Sequence, residues 1–381
     1  MLGLGIGRKA AGVFRRAAFL LGGPPPNIHQ VLQQLRLAEI VGCVLDRANV
    51  VGDTFEAVGW AVSPTTRLED LRFLLNGKPF AEVAWPLASP DVAAAFPGLP
   101  YATACRFVCR HPVTTADAVF PGDYATIACV PPYGVHQRTY RRSHSVLNPA
   151  LEAPMPDAAR IDRVIGGDAA SFRQGGATIA KRFDAYLAER FGRPLASFAS
   201  VLDWGCGAGR VTRHLVRLCA GQVTGVDIDH DNIGWCQESL PQARFLVGPL
   251  QPKLPLDDGA FDLAIGISVF THLDEPTQFR WLDELRRVVR PGGIVLMSIH
   301  GMAQLAFYNS PGTFLLDAYR QGFMFYGQNG QLDTVLDDKT YYKNVIQSHD
   351  YVFARWSEYF DVVEIVEGMA GNQDLVVMLR R

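Results

Sequence analysis

The chain is short of several features that would assign it a role quickly. Its 381 residues carry 36 Lys and Arg against 38 Asp and Glu, a formal charge of −2. That balance argues against a nucleic-acid-binding surface spread over the whole protein. No apolar run approaches the roughly 18 residues of a membrane-spanning helix. The seven cysteines, at 43, 105, 109, 129, 206, 219 and 236, include no C-x-x-C pair. Cys105 and Cys109 are four apart in a predicted strand, so no metal clip is read and no metal is expected. Scattered cysteines of this kind read as reduced, buried thiols in a cytoplasm. What remains is an apolar content of 48% with 19% charged residues, enough for ample core, and a length that suggests two domains.

One stretch stands out. Val201-Leu202-Asp203-Trp204-Gly205-Cys206-Gly207-Ala208-Gly209-Arg210 reads as a strand end, a tight glycine loop and a helix start. Glycines let the backbone turn with no Cβ in the way. Val211, Leu215 and Leu218 then repeat at helical spacing. Such a unit presents bare main chain to a ligand at a helix N-terminus. A dinucleotide loop requires G-x-G-x-x-G, and Arg210 occupies the third glycine's place. The spacing is instead G-x-G-x-G, preceded by Asp203. Gln222 to Val226 reads as the next strand and ends at Asp227, 22 residues past Gly205. An acid at about that offset meets a ribose hydroxyl; the alternative is a strand-end acid that only caps the following helix.

The rest of the second half extends the pattern. Ser171 to Phe191 predicts a leading helix and Asp231 to Leu240 another. Strands are expected at Ala243 to Gly248, Leu263 to Val269 and Ile294 to Ile299. Pro276 to Arg290 predicts a helix that starts on proline and is stopped by Pro291-Gly292-Gly293. Tyr351 to Trp356 reads as a helix, and Phe360 to Glu367 and Asp374 to Arg380 as two last strands.

This half resembles the class I S-adenosyl-L-methionine (SAM)-dependent methyltransferases. The resemblance rests on LDWGCGAGR, on Asp227, on Ser268-Val269-Phe270-Thr271-His272-Leu273, and on the helix–PGG–strand run. It implies an α/β Rossmann-like domain: a mostly parallel seven-stranded sheet with helices on both faces. It implies SAM as cofactor, held by Asp203, Gly205, Cys206, Gly207, Gly209, Asp227, Ile228 and Ser268, with Arg173 or the backbone near Gly175-Gly176 at the methionine carboxylate. Members often carry an acid past the third strand that meets adenine; here Gly248-Pro249-Leu250 stands instead, which leaves that contact to main chain or unmade. An alcohol acceptor would benefit from a general base, and His272 and His300 are the two placed for it. His272 also reads as a residue that packs or caps the next helix.

The first half predicts a different class. Short strands are expected at Glu56 to Val62, Leu71 to Leu75, Cys105 to Cys109 and Tyr124 to Val130, with a type I′ hairpin at Asn76-Gly77. The spacing suits an all-β sandwich. Val58-Gly59-Trp60-Ala61, Asn76-Gly77-Lys78 and Ser89-Pro90-Asp91-Val92 through Pro97 are similar to a module appended to bacterial glycan-modifying proteins, except that Ser89 stands where Arg is usual. The resemblance implies a carbohydrate context; a packing or dimerisation module fits the same residues.

The expected organisation is a tail over 1–34, a sandwich over 35–133, a connector over 134–160 and the methyltransferase half over 161–381. The tail, with Arg8, Lys9, Arg15 and Arg16 flanking Val13 to Leu20, reads either as a frayed or packed segment or as a weak membrane-surface anchor over 1–23. Its apolar run is too short for a secretory leader. The connector holds His136, Arg138, Arg141, Arg142 and His144, a solvated basic run or a site for an anionic acceptor or a membrane surface. The reading that follows is a cytoplasmic enzyme, peripheral to the inner membrane face if the tail anchors it. It would methylate a sugar or other surface-glycan component, with no nucleic acid as partner and a homo-oligomer allowed. The alternatives are an NAD-dependent oxidoreductase on the same kind of sheet, which Arg210 counts against, and a non-catalytic glycan-binding or assembly protein.

Overall fold

The computed structural model describes residues 42–62, 68–95, 101–130, 143–301, 312–338 and 340–381. The expected tail over 1–34 lies outside them, as do His136, Arg138, Arg141 and Arg142 of the basic run.

The first half folds as two antiparallel four-stranded sheets. One has the order β1 (Gly42–Val51), β2 (Thr54–Val62), β6 (Arg106–Pro112), β5 (Glu82–Leu87). The other runs β4 (Lys78–Pro79), β3 (Arg72–Leu75), β7 (Tyr124–Val130), β8 (Ser143–Leu147). Alternation sorts their side chains. Phe55 and Ala57 of β2, Phe107 and Cys109 of β6, Phe73 and Leu75 of β3, and Ile127 and Cys129 of β7 share one buried core. Phe73 and Phe107 meet across it with ring centroids 4.6 Å apart. The sandwich is therefore real, with its outer face carrying charges that pair along the sheet, such as Arg47 with Glu56 at 2.8 Å. The Asn76-Gly77 hairpin joins β3 to β4 with φ of 50° and 79°, the double left-handed turn its sequence requires. Ser89 is fully buried: its hydroxyl donates to Ala102 O at 2.7 Å and accepts from Cys105 N at 2.8 Å.

One boundary is corrected. The segment expected as a connector over 134–160 contributes β8, which pairs with β7 from Tyr124↔Leu147 to Ala128↔Ser143. The apolar Val146 and Leu147 are buried there; the prolines that suggested a connector follow the strand instead.

The second half is a seven-stranded sheet with helices on both faces. Its order is β11 (Arg244–Val247), β10 (Gln222–Asp227), β9 (Ser200–Trp204), β12 (Phe261–Gly266), β13 (Val289–Ile299), β17 (Gln373–Leu379), β16 (Asp361–Ala370). The first five are parallel neighbours, and β17 runs antiparallel to both β13 and β16. Every residue of β12 is buried, as expected of a strand covered on both sides. Adjacent residues divide between two cores. Val201, Leu263, Leu296 and Leu375 pack with Ile179 and Phe183 of α1 (Ala169–Phe191) and Leu215 of α2 (Thr212–Leu218). Leu202, Ala264, Val295 and Val376 pack with Trp281 and Leu285 of α3 (Glu275–Val288) and Val352 and Trp356 of α4 (His349–Trp356). β12 is shorter than its apolar run, because the chain turns at Ser268, whose φ is +62°. β13 takes in Pro291-Gly292-Gly293, with a register shift opposite β12.

α1 joins the two halves. Thr178 accepts from Ser145 N at 3.1 Å. Arg182, 5% exposed, donates to Ser143 O at 2.9 and 3.0 Å and to Gly368 O at 3.1 Å. It thus holds the sandwich edge and the far end of the main sheet together. Burial pulls its guanidinium down to about 10, so it stays charged at neutral pH. Replacing it strands buried carbonyls, and Arg182→Met should lower stability by about 2–3 kcal/mol. Urea unfolding at pH 7 checks this; an unchanged midpoint would show that the two halves are held by something else.

Candidate functional site

The carboxyl ends of β9, β10 and β12 open into a cavity of about 960 Å³, counting its mouth. The glycine loop forms its floor. Gly205, Gly207 and Gly209 have φ of +75°, +52° and +71°, the region that favours glycine. A Cβ on Gly205 would lie 2.2 Å from Val269 Cγ2, and one on Gly207 2.8 Å from Val164 Cγ2. The loop is clamped by Val226 O, which accepts from Gly205 N at 2.7 Å and Cys206 N at 3.1 Å.

Asp227 stands at the next strand end, facing that loop. Its Oδ2 accepts from Gly207 N at 2.7 Å and its Oδ1 from Asp229 N at 2.9 Å. An ionised carboxylate has about four acceptor positions, so these amides do not exhaust it, and Asp227 lines the cavity. Burial raises its proton affinity, opposed by the amides of Asp229 and Gly207. Asp203 is buried behind the loop and accepts from Thr212 Oγ1 at 2.5 Å. Burial pushes it up to about 6, against the Thr212 hydrogen bond and the nearby Arg210.

The expected cofactor residues mostly converge. Asp203, Gly205, Cys206, Gly207, Asp227, Ile228 and Ser268 all line the cavity. Two do not. Gly209 turns away: its missing Cβ faces Leu240 at 2.6 Å, so its glycine serves packing. Arg173 pairs with Glu152 at the surface, because at that point of α1 its side chain leaves the sheet. Arg210, by contrast, lines the cavity and lies against Gly175 of the same helix. Burial brings Arg210 down to about 10, opposed by Asp203, so it is a cation at neutral pH. Gly176 permits this approach, since a Cβ there would meet Arg210 O at 2.1 Å.

Other walls come from distant segments. Arg163, from a helix over Ala158–Ile165, donates to Asp229 Oδ2 at 2.8 Å and to Asp231 Oδ2 at 2.7 Å. Asn232 donates to Asp229 Oδ2 at 2.8 Å, and its buried Oδ1 has no hydrogen-bond partner among the described residues. Gly248 and Pro249 line the side where an acid might have stood. Leu332, Tyr341 and Tyr342 belong to a segment laid over the strand ends. Within it β14 (Phe323–Gln328) pairs with β15 (Lys343–Gln347). Lys343 N, Val345 N and Gln347 N donate to the carbonyls of His272, Thr271 and His300 at 3.0, 3.0 and 2.9 Å. No spacing signal in the sequence marks these residues; Phe307 to Asn329 is aromatic and glycine-rich, a composition that suits a cover over the acceptor pocket, and 302–311 lie outside the described residues.

The two histidines meet, but behind the cavity wall. Their rings lie 5.8 Å apart and neither lines the cavity. His272 Nδ1 donates to Lys343 O at 2.9 Å, and its ring packs against Tyr342, centroids 4.1 Å apart and planes tilted by 31°. His300 Nδ1 lies 3.0 Å from the Tyr326 hydroxyl and its Nε2 3.5 Å from Gln373 Nε2. Gln373 also donates to Ser268 Oγ at 2.8 Å and accepts from Ser298 Oγ at 2.6 Å. Burial pulls His272 down to about 4 and His300 to about 3, so both are neutral at pH 7. Among the described residues, no group of three or more His, Cys, Asp or Glu could hold a metal.

Comparison with known proteins bears on this site directly, because residues 202–297 match the family model described as a methyltransferase domain. The chain carries a methyltransferase domain. It is of the SAM-dependent kind. A sterol 24-C-methyltransferase of Gibberella zeae is 33% identical over 30% of this chain and 30% of that protein. A probable S-adenosylmethionine-dependent methyltransferase of Mycolicibacterium smegmatis is 35% identical over 26% of this chain and 37% of its own. An O-antigen chain terminator bifunctional methyltransferase/kinase of Escherichia coli is 36% identical over 27% of this chain and 14% of its own length. The chain thus spans well under half of each relative. Among solved structures, an S-adenosylmethionine-dependent methyltransferase from Mesorhizobium loti aligns over 53% of this chain and all of its own, at 16% identity and a TM-score of 0.38.

The methyltransferase domain's cavity fits its cofactor by its own chemistry. A half-open carboxylate, exposed main chain at Gly205 and Gly207, a buried unpartnered Asn232 Oδ1 and the cation of Arg210 offer acceptors and donors of the right kind. When bound, SAM supplies an activated methyl group.

Asp203 gives a test of the electrostatics. Its folded affinity, near 6, exceeds the unfolded value of about 3.9. Between those values the native state holds a proton that the unfolded chain has released. Its contribution to stability therefore falls as pH rises through about 4 to 6, and at pH 8 the buried anion opposes folding by about 2–3 kcal/mol. Asp203→Asn should raise the melting temperature of the ligand-free protein at pH 8 and change it less at pH 4. A larger gain at pH 4 would reverse the assignment.

Proposed function

We propose that the protein transfers a methyl group from SAM to a hydroxyl of a sugar or related surface-glycan component. The observation that carries the SAM half is the Asp227 carboxylate, which lines the cavity and lies 2.7 Å from the Gly207 amide of the glycine loop. In this reading Asp227 takes the ribose hydroxyls. Gly205, Cys206 and Gly207 cradle the ligand with main chain, and Ile228 and Tyr342 pack on its flat and apolar parts. Arg210 meets the carboxylate, the role first expected of Arg173. The protein's share of the chemistry is to hold the acceptor oxygen in line with the methyl group and to keep water out. The segment over 312–347 supplies the water-excluding cover.

The glycan half rests on two supports. One is the sandwich in the first half, whose residues are similar to a module of glycan-modifying proteins. The other is the likeness, over a part of each chain, to an O-antigen chain terminator methyltransferase/kinase. An NAD-dependent oxidoreductase is disfavoured by Arg210, whose side chain lines the cavity at the place where a dinucleotide loop needs its third glycine.

Isothermal titration with SAM should show saturable heat. Asp227→Ala should weaken the affinity at least tenfold, as for loss of hydrogen bonds to a charged acceptor. Equal affinity in the variant would remove the ribose assignment. Incubation of the protein with labelled SAM and cell-envelope glycan extract should move label into the carbohydrate fraction. Label found only in lipid or protein would reject the glycan acceptor.

A further inference from the structure

Resting on the methyltransferase reading, we propose that Gln373 fixes the Ser268 hydroxyl as a hydrogen-bond donor into the cofactor cavity, where it takes a ligand oxygen: that of the SAM carboxylate or that of the alcohol acceptor. Ser268 lines the cavity at the carboxyl end of β12 and is partly exposed there. It stands one strand beyond the glycine loop, and the next residue, Val269, packs on Gly205. Its φ of +62° is one that serine seldom takes. Two remote residues hold it. Ser298, near the end of β13, accepts from its amide at 2.8 Å, and Gln373, at the start of β17, donates to its hydroxyl at 2.8 Å. Ser298 and Gln373 each lie two residues from a side chain of the core against α1, Leu296 and Leu375. Side chains two apart on a strand share a face, so both reach Ser268 from that side of the sheet.

The direction of each bond follows from the protons available. Ser298 Oγ accepts from Ser268 N and gives its own proton to Gln373 Oε1 at 2.6 Å. That length belongs to an O–H···O bond and is short for N–H···O, which sets the carboxamide oxygen on Ser298. Gln373 Nε2 then has two protons to place. One goes to Ser268 Oγ at 2.8 Å, and the other lies toward His300 Nε2 at 3.5 Å. Ser268 Oγ is thereby an acceptor inside the framework, and its own proton is left over. That proton has no acceptor among the described residues. Its side chain borders the cavity, so the acceptor it lacks is a group bound there.

A fixed donor sorts the groups that can lie against it. An oxygen has two lone pairs and takes this bond with one of them. An uncharged amine has one lone pair, and an ammonium has none. The ammonium of SAM is therefore not the partner of this hydroxyl, and two oxygens meet the requirement. The SAM carboxylate would share its charge between Ser268 and Arg210, which both line the cavity. An acceptor hydroxyl would take the bond and keep its second lone pair for the methyl carbon. In that case the site favours alcohols, because an amine that took the bond would have no pair left. Gln373 is the positioning residue in either case. A carboxylate in its place would accept from Ser268 and draw the proton out of the cavity.

Calorimetry with SAM and with decarboxylated SAM tests this, together with transfer of label to the envelope extract at saturating SAM. Ser268→Gly removes the hydroxyl and suits the backbone at +62°. With the carboxylate as partner, Ser268→Gly should bind SAM about tenfold more weakly and decarboxylated SAM as the wild type does. With the acceptor oxygen as partner, it should bind SAM as the wild type does and lose about fivefold or more in transfer. Gln373→Glu should show the same loss, and the double variant no more than either single one, because both changes remove one donor. A residue that served only stability would add a loss of its own. Gln373→Met, apolar and of similar size, replaces Gln373→Glu where the charge prevents folding, and should lose part of the same effect. Ser268→Gly within twofold of wild type in both SAM affinity and transfer would overturn the proposal. So would a loss that extends equally to decarboxylated SAM, or one that the folded Gln373 variants do not share. Failure of the underlying reading looks different, since the wild-type protein would then give no heat with SAM.

Discussion

The Asp227 carboxylate and the Gly207 amide, 2.7 Å apart, hold the working edge of the protein together. The bond ties the end of one strand to the loop that leaves its neighbour. Val226 O makes the same connection twice more, through Gly205 N and Cys206 N. Loop and acid can therefore move only together. A carboxylate that shapes the loop while still offering acceptor positions is a preorganised site, with little ordering left for a ligand to cause.

The rest of the edge shows how polar groups are kept where strands end. Ser268 takes a left-handed conformation, with φ of +62°, and is held there from two sides. Its amide donates to Ser298 Oγ at 2.8 Å, and its hydroxyl accepts from Gln373. The same Gln373 reaches His300, so a single carboxamide links the cavity wall to the histidine pair. Buried networks of this kind are rigid because each buried member is satisfied. His272 and His300 belong to that framework.

Two covers complete the site from opposite sides. β15 lies across the carbonyls of Thr271, His272 and His300 and brings Tyr342 over the cavity. The helix over Ala169–Phe191 works underneath. Its Gly176 lets the loop at Arg210 approach, while Thr178 and Arg182 grip the sandwich through Ser145 and Ser143. Tyr124 of the sandwich adds a 3.1 Å contact to buried His214, on the helix that follows the loop. The sandwich is thus built onto the element that supports the cofactor loop.

The sequence by itself determined whatever depends on local chemistry. Glycines at 205, 207 and 209 declare the loop, because no other residue takes those angles cheaply. The acid at 227, the apolar run of β12 and the Asn76-Gly77 turn are legible for the same reason: spacing and backbone preference act within a few residues. The two halves and their classes followed from such signals. Tertiary structure alone decided what depends on packing between remote segments. It turned Arg173 outward and Arg210 inward, since one helix face meets solvent and the other meets the loop. It made a strand of Ser143–Leu147, whose ladder partner lies in β7. It also set Gln373 beside Ser268 through the antiparallel return of β17, a pairing with no trace in either residue's neighbours along the chain. Burial, which keeps His272 and His300 neutral, belongs to the folded protein and not to any stretch of it.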